Sequence, residues 1–244
     1  MRVMSDEEYG DYLKGKRVIM VSHAASMVDS NQGEFIDSYD VVVRINDSIP
    51  LPEGLEKDIG TKCDILYSSL APQFRLTKEK LYQPLLDAGV KVVVRPTPLK
   101  MGRIDEIKLS SHNVSYWYER LVTALEDVDL AVRVVGREPY RTHTIRTNGK
   151  LPLTGFASLW DLLEFDITEM YMIGFNFFVG GSYEQYHANP KSENQKEAWK
   201  EGTGLYKGRY HVVAPQIRYL KELIKKDDRI KYDKTLEYVL SVMT

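Results

Sequence analysis

Five short, mostly apolar runs rich in β-branched residues, alternating with helical patterns, govern what this chain can fold into. They are residues 17–21 (RVIMV), 40–45 (DVVVRI), 64–67 (DILY), 90–94 (VKVVV) and 169–173 (EMYMI). Near-continuous apolar runs of this length read as strands buried on both faces. Strands alternating with helices predict an α/β protein built on a mostly parallel sheet. Residues 131–135 carry a weaker signal of the same kind.

Helical patterns cover residues 77–87, closed by Ala88 and Gly89, and residues 115–127. Another begins at Thr154, which stands where an N-cap belongs, and runs through Phe165. Pro215 fits the first turn of a helix to Lys226 with Ile217, Leu220, Leu223 and Ile224 on one face, and residues 234–242 form a last short helix. Residues 137–150 read as a polar connection. Residues 174–210, rich in Gly, Asn, Ser and aromatics with little periodicity, read as a functional loop or lid. With no repeat, low-complexity tract or clear linker, residues 1–244 read as one domain.

With 43% hydrophobic and 28% charged residues, the composition is that of an ordinary globular protein. A net charge of -2 gives no broad electrostatic footprint for duplex nucleic acid. The one cysteine, Cys63, excludes an internal disulfide and a thiolate zinc site, which fits a reducing compartment. The first residues lack the basic and apolar regions of a signal peptide, and no stretch approaches ~18 apolar residues. The expected location is the cytoplasm, with any membrane association peripheral.

Ligands of open α/β sheets bind beyond the carboxyl ends of the strands. There the sequence places Ser22 and His23 after the first strand, Asn46 and Asp47 after the second, and Thr154-Gly155 before a helix. A helix start followed by glycine exposes backbone N–H groups and admits close approach, which suits a phosphate or carboxylate, though such caps also occur in helices that bind nothing. His211 at a loop–helix junction and His187 in the loop are candidate acids or bases, and a lone histidine is more often structural. Tyr116, Trp117 and Tyr118 read mainly as helix packing, and Lys221, Lys225, Lys226 and Arg229 as a solvated face. Arg137, Arg141, Arg146 and Lys150, near Tyr140, His143 and Thr144, read either as a solvated loop or as a binder of an anionic substrate group.

Three segments in order resemble glycosyltransferase family 29, the sialyltransferases. Residues 35–46 (FIDSYDVVVRIN) with 56–62 (EKDIGTK) are similar to its large motif, residues 151–178 to its small motif, and residues 211–216 to its very short motif. The resemblance implies a single Rossmann-like domain, a GT-A-like variant, and an inverting, metal-independent transferase needing no cofactor. Its partners are then a CMP-activated donor, usually CMP-sialic acid, and a glycan or glycoconjugate acceptor.

It further implies that Asn46, Thr154, Gly155 and Phe156, with Gly174 and Phe175, hold or line the nucleotide. His211 becomes the catalytic base, and Tyr183, Tyr186 and His187 become counterparts of a third motif. Three positions depart from the family. His23 stands where an asparagine contacts the donor, Gln216 replaces a glutamate, and Val18 and Phe165 occupy the sites of a disulfide in animal members. Two rival readings stay open: transfer of a Kdo-type sugar or use of another nucleotide sugar on the same scaffold, and nucleotide binding without catalysis.

Overall fold

A computed structural model describes residues 2–68, 78–97, 130–147, 149–183 and 212–243. The strands are β1 (Arg2–Val3), β2 (Arg17–Val21), β3 (Val41–Ile45), β4 (Ile65–Tyr67), β5 (Val92–Arg95), β6 (Ala131–Val134), β7 (Glu169–Ile173) and β8 (Ile230–Tyr232). They form one sheet in the order β1-β6-β5-β4-β3-β2-β7-β8, and every pairing is parallel. The predicted α/β class with a parallel sheet is the observed one. From β2 the chain steps outward through β3, β4, β5 and β6, then returns to lay β7 on the other side of β2. The strand order therefore reverses between β2 and β7, where such sheets open a crevice at their carboxyl ends.

Eight α-helices are described: α1 (Asp6–Leu13), α2 (Gly33–Asp37), α3 (Glu56–Ile59), α4 (Lys78–Asp87), α5 (Arg137–Arg146), α6 (Thr154–Leu163), α7 (Val213–Lys226) and α8 (Lys234–Val242). Alternate strand residues feed two apolar layers, because successive side chains point to opposite faces. Val18, Met20, Val43, Ile65 and Met172 join Leu13 of α1, Leu159 of α6, Ile217 of α7 and Leu236 of α8. Ile19, Val21, Val42 and Ile173 join Ile36 of α2 and Ile59 of α3 on the opposite face. Val18 is fully buried, and Phe165 packs edge-on against Tyr9 at 5.1 Å, so apolar contact fills the layer at these two positions.

One expectation needs correction. Residues 137–150 contain α5 rather than an irregular connection. Among its described side chains only Tyr140 and Thr144 are buried, one turn apart, so the stripe that binds it is too narrow to show as periodicity. His143 stacks on Trp160 at 4.4 Å, and burial, with Arg146 nearby, pulls its pKa down to about 4. The weak signal at 131–135 is strand β6. The helix expected at 115–127, with Tyr116, Trp117 and Tyr118, lies outside the described residues.

A buried polar chain ties α6 to the far half of the sheet. Arg133 of β6 donates from Nη1 and Nη2 to both carboxylate oxygens of Asp161 on α6, at 2.6 and 2.9 Å. Both side chains are almost wholly buried. Tyr67 Oη donates to Asp161 Oδ2 at 2.5 Å and lies 2.9 Å from Tyr9 Oη, while Arg133 Nε donates to Asp6 of α1 at 2.8 Å. The Arg133 guanidinium also sits 4.4 Å from the Tyr9 ring centroid.

Two outcomes follow from these contacts. Asp161→Ala leaves Arg133 buried without its partner and is expected to cost about 3–5 kcal/mol in urea unfolding. Double replacement with well-packed apolar residues should cost less. For His143 the native pKa is depressed, so below about 6.5 the unfolded chain binds a proton that the native chain refuses. Stability should fall as pH drops from about 6.5 toward about 4, and His143→Gln should flatten that part of the profile.

Candidate functional site

The loops after β2, β3 and β7 meet the start of α6 at the reversal point. Ser22 N–H donates to Ile173 C=O at 2.9 Å and Ala24 N–H to Gly174 C=O at 3.2 Å, strapping the β2 loop to the β7 loop. Asn46 adopts φ +51°, a left-handed conformation that asparagine tolerates, and its N–H donates to Tyr67 C=O at 2.7 Å. The expected residues Ser22, His23, Asn46, Thr154, Gly155, Gly174 and Phe175 are thus brought to one end of the sheet.

Their roles differ. His23 is buried, with Nε2 2.7 Å from Ser48 Oγ. Ser48 has one hydroxyl hydrogen and gives it to Ile45 C=O at 2.5 Å, so His23 Nε2 carries the hydrogen of the shared bond. The histidine thereby locks the β2 loop to the end of β3. Tyr183 packs edge-on to its ring at 5.8 Å and donates its backbone N–H to His23 C=O, and burial pushes its phenol up to about 12.

Gly174 has φ +72°, and a Cβ there would lie 2.9 Å from Met27 Cγ and 3.1 Å from the Ser22 carbonyl oxygen. Its N–H donates to Asp233 Oδ2 at 2.9 Å. With its carbonyl accepting from Ala24, both backbone groups are committed to the fold, and Gly174 serves the site by close packing. Asp233 also caps α8 through Leu236 N–H, and burial pushes its carboxyl upward.

Thr154 is not the N-cap of α6. That position is Leu153, and no side chain caps the first turn. Thr154, Gly155 and Phe156 therefore begin the helix with N–H groups that have no intrahelical acceptor. A Cβ on Gly155 would fall 2.8 Å from Phe175 Cε1 and 3.3 Å from Ile45 Cδ1, so glycine lets this turn seat against both loops. Phe156 and Phe175 are buried, Phe156 against Trp160 and Phe177, which leaves their backbones as the parts that could meet a ligand.

Gln216 joins the start of α7 to the start of α6. Wholly buried, it accepts from Leu153 N–H at 2.9 Å and donates to Val212 C=O at 2.7 Å. A carboxylate could make the first bond but not the second, which gives the amide at this position a physical reason. His211, His187 and Tyr186 lie outside the described residues. Sequence reasoning missed Ser48 and Asp233, since neither carries a pattern that marks its long-range bond.

The family model for glycosyltransferase family 29 (sialyltransferase) matches residues 9–126. Over that segment, a little under half of its length, the chain is similar to this family. Type 2 lactosamine alpha-2,3-sialyltransferase from Rattus norvegicus is 26% identical over 233 residues, covering 88% of this chain and 64% of that protein. The protein of the same name from Mus musculus is 24% identical over the same length. The chain thus spans a little under two thirds of these curated relatives.

In fold, it is similar to a mammalian sialyltransferase in complex with Gal-beta-1-3GalNAc-ortho-nitrophenol, at 19% identity and a TM-score of 0.53, covering 93% of this chain and 72% of that one. It is also similar to the sialyltransferase CstII from Campylobacter jejuni in complex with the substrate analogue CMP-3FNeuAc, at 14% identity and a TM-score of 0.51, covering 89% and 81%.

Gln216→Glu tests the clamp. At neutral pH the carboxylate loses the Val212 bond and buries a charge, so unfolding experiments should show a loss of about 1–3 kcal/mol. Burial raises such a carboxyl, so the variant should approach wild type as pH falls below the unfolded glutamate value of about 4.3 and lose stability as pH rises.

Proposed function

We propose that this chain is a single-domain glycosyltransferase that moves a sialic acid, or a related acidic sugar, from a CMP-activated donor to a glycan or glycoconjugate hydroxyl. The observation that carries the reading is the uncapped first turn of α6, set by Gly155 against the ends of β3 and β7 where the strand order reverses. Backbone donors at a helix start favour phosphate oxygens, and the reversal point is where open α/β sheets take nucleotides. The family relationship and the CMP analogue bound by CstII agree with a cytidine nucleotide.

In this reading the acceptor hydroxyl oxygen attacks the anomeric carbon from the face opposite the phosphate, which inverts that centre. The bond from carbon to phosphate oxygen breaks, and CMP leaves with the electron pair. His211, the very short motif histidine, takes the hydroxyl proton, and His187 assists from the preceding loop. The N–H groups of Thr154, Gly155 and Phe156 stabilise the charge that grows on the departing phosphate, so the reaction proceeds without a metal. Asn46 contributes to holding the nucleotide, and Gln216 sets the backbone next to His211. No described helix is long and apolar enough to cross a membrane. In this reading the protein works in the cytoplasm, and its single cysteine, Cys63, is buried and leaves the fold independent of any internal disulfide.

CMP in a hundred-fold excess over its Kd should raise the melting temperature by roughly 5–10 °C, with UMP and GDP far less effective. CMP release should be observed from CMP-sialic acid, or from CMP-Kdo if the donor is of that class. His211→Ala should abolish release while keeping CMP protection. CMP protection without turnover of either donor would overturn the transferase reading, and no protection up to millimolar CMP would overturn the nucleotide assignment.

A further inference from the structure

Arg95 ends β5 one residue beyond a row in which Ile45, Tyr67 and Val94 stand side by side on neighbouring strands. It is therefore level with Asn46 and Ser68, whose N–H groups continue the ladder to Tyr67 and Val94 carbonyls. Two strand spacings, about 10 Å, separate it from the end of β3. The guanidinium is buried, and Nε donates to Thr97 C=O at 2.6 Å. Nη1 has no hydrogen-bond partner, and among the described residues no carboxylate pairs with this cation.

Arg95 differs in this from the other buried guanidinium groups described. Arg133 meets Asp161 and Asp6, and Arg44 donates to the carbonyls of Lys62, Ile59 and Gly60. The ionisable group that acts on Arg95 is the phenol of Tyr140, also buried and also without a hydrogen-bond partner at Oη. Tyr140 packs with Leu151 and Ala157 beside the first turn of α6. The pair thus adjoins the amides proposed to meet the phosphate, on the side away from β2 and β7.

A buried cation and a buried hydroxyl with unused donors, at the carboxyl edge of a parallel sheet, are complementary to an arriving anion. We infer that Arg95 and Tyr140 form a second recognition point, which takes a carboxylate carried by one of the two substrates. The inference rests on the transferase reading, and it adds selection of an acidic group to that site. Nη1 can donate one charge-assisted hydrogen bond to a carboxylate oxygen, with the phenol supplying a further one. The donor sugar and an already sialylated acceptor both present this chemistry.

Arg95→Gln and Tyr140→Phe separate the sources. Both variants should keep wild-type circular dichroism and CMP affinity within two-fold. If the carboxylate belongs to the donor, affinity for CMP-sialic acid fluorinated at C3 should fall about ten-fold in Arg95→Gln and about three-fold in Tyr140→Phe. If it belongs to the acceptor, KM for a sialylated acceptor should rise by the same factors while that for neutral lactosamine stays put. The inference is overturned if neither quantity moves, or if CMP affinity drops in both variants. A wild type blind to CMP would sink the transferase reading instead. Protection by free N-acetylneuraminate, present in wild type and absent in Arg95→Gln, would then decide the anion site.

Discussion

The bidentate pair between Arg133 and Asp161 sets the position on which the other features of the site depend. Two buried charges are stable together only when their geometry is good and their remaining hydrogen-bonding capacity is used. Here Tyr67, Asp6 and the Tyr9 ring complete the shell. Because the partners stand on β6 and α6, satisfying them fixes the helix over the far strands. Its opposite end is fixed separately, by the fit of Gly155 against Phe175 and Ile45 and by the Gln216 clamp on Leu153. Held at both ends, α6 presents its first-turn amides in a set direction before any ligand arrives, which is the arrangement that makes such donors effective.

Much of the segment that carries the first family resemblance is floor rather than working surface. Asp37 accepts from Thr61 N–H, Thr61 Oγ1 and Lys62 N–H, closing the two halves of the segment on each other. Beneath them Arg44 holds three carbonyls together, and burial pulls its guanidinium downward. Asp64, at the start of β4, accepts from Val42 N–H and Lys91 Nζ. These bonds hold β3 and β4 in register, so that Asn46 and Ser48 emerge where the β2 loop can reach them.

The strands that bury both faces were the legible part of the fold. Their β-branched runs announce β2, β3, β4, β5 and β7 within a residue or two at most ends. The edge strands β1 and β8 were not legible, because two or three residues with mixed exposure carry no period. Helix α1 was not legible either: its sequence is too polar for periodicity to draw attention to it, and the capping box of Ser5 and Glu8 emerges only in the structure. At the site, sequence position alone located His23, Asn46, Thr154 and Gly155, since strand ends are where chemistry gathers, and the family resemblance added Gly174. Position could not assign their roles. Whether His23 contacts a donor or Ser48, and whether Gly174 offers an N–H or spends it on Asp233, depends on partners more than twenty residues away. Arg95 lay one residue beyond the run 90–94 read as a strand, where an arginine passes for an end residue.

The position of β2 has a consequence for how the molecule is made. It lies between β3 and β7, yet its residue Arg17 pairs with Glu169, roughly 150 residues later in synthesis. During translation at ~5–20 residues per second, that edge of β2 waits on the order of ten seconds or more without its neighbour. The unpaired edge of an apolar strand is a template for pairing with other chains. Over that interval this edge is open to other chains, and the arrival of residues 169–173, rather than the formation of the early strands, is what covers it.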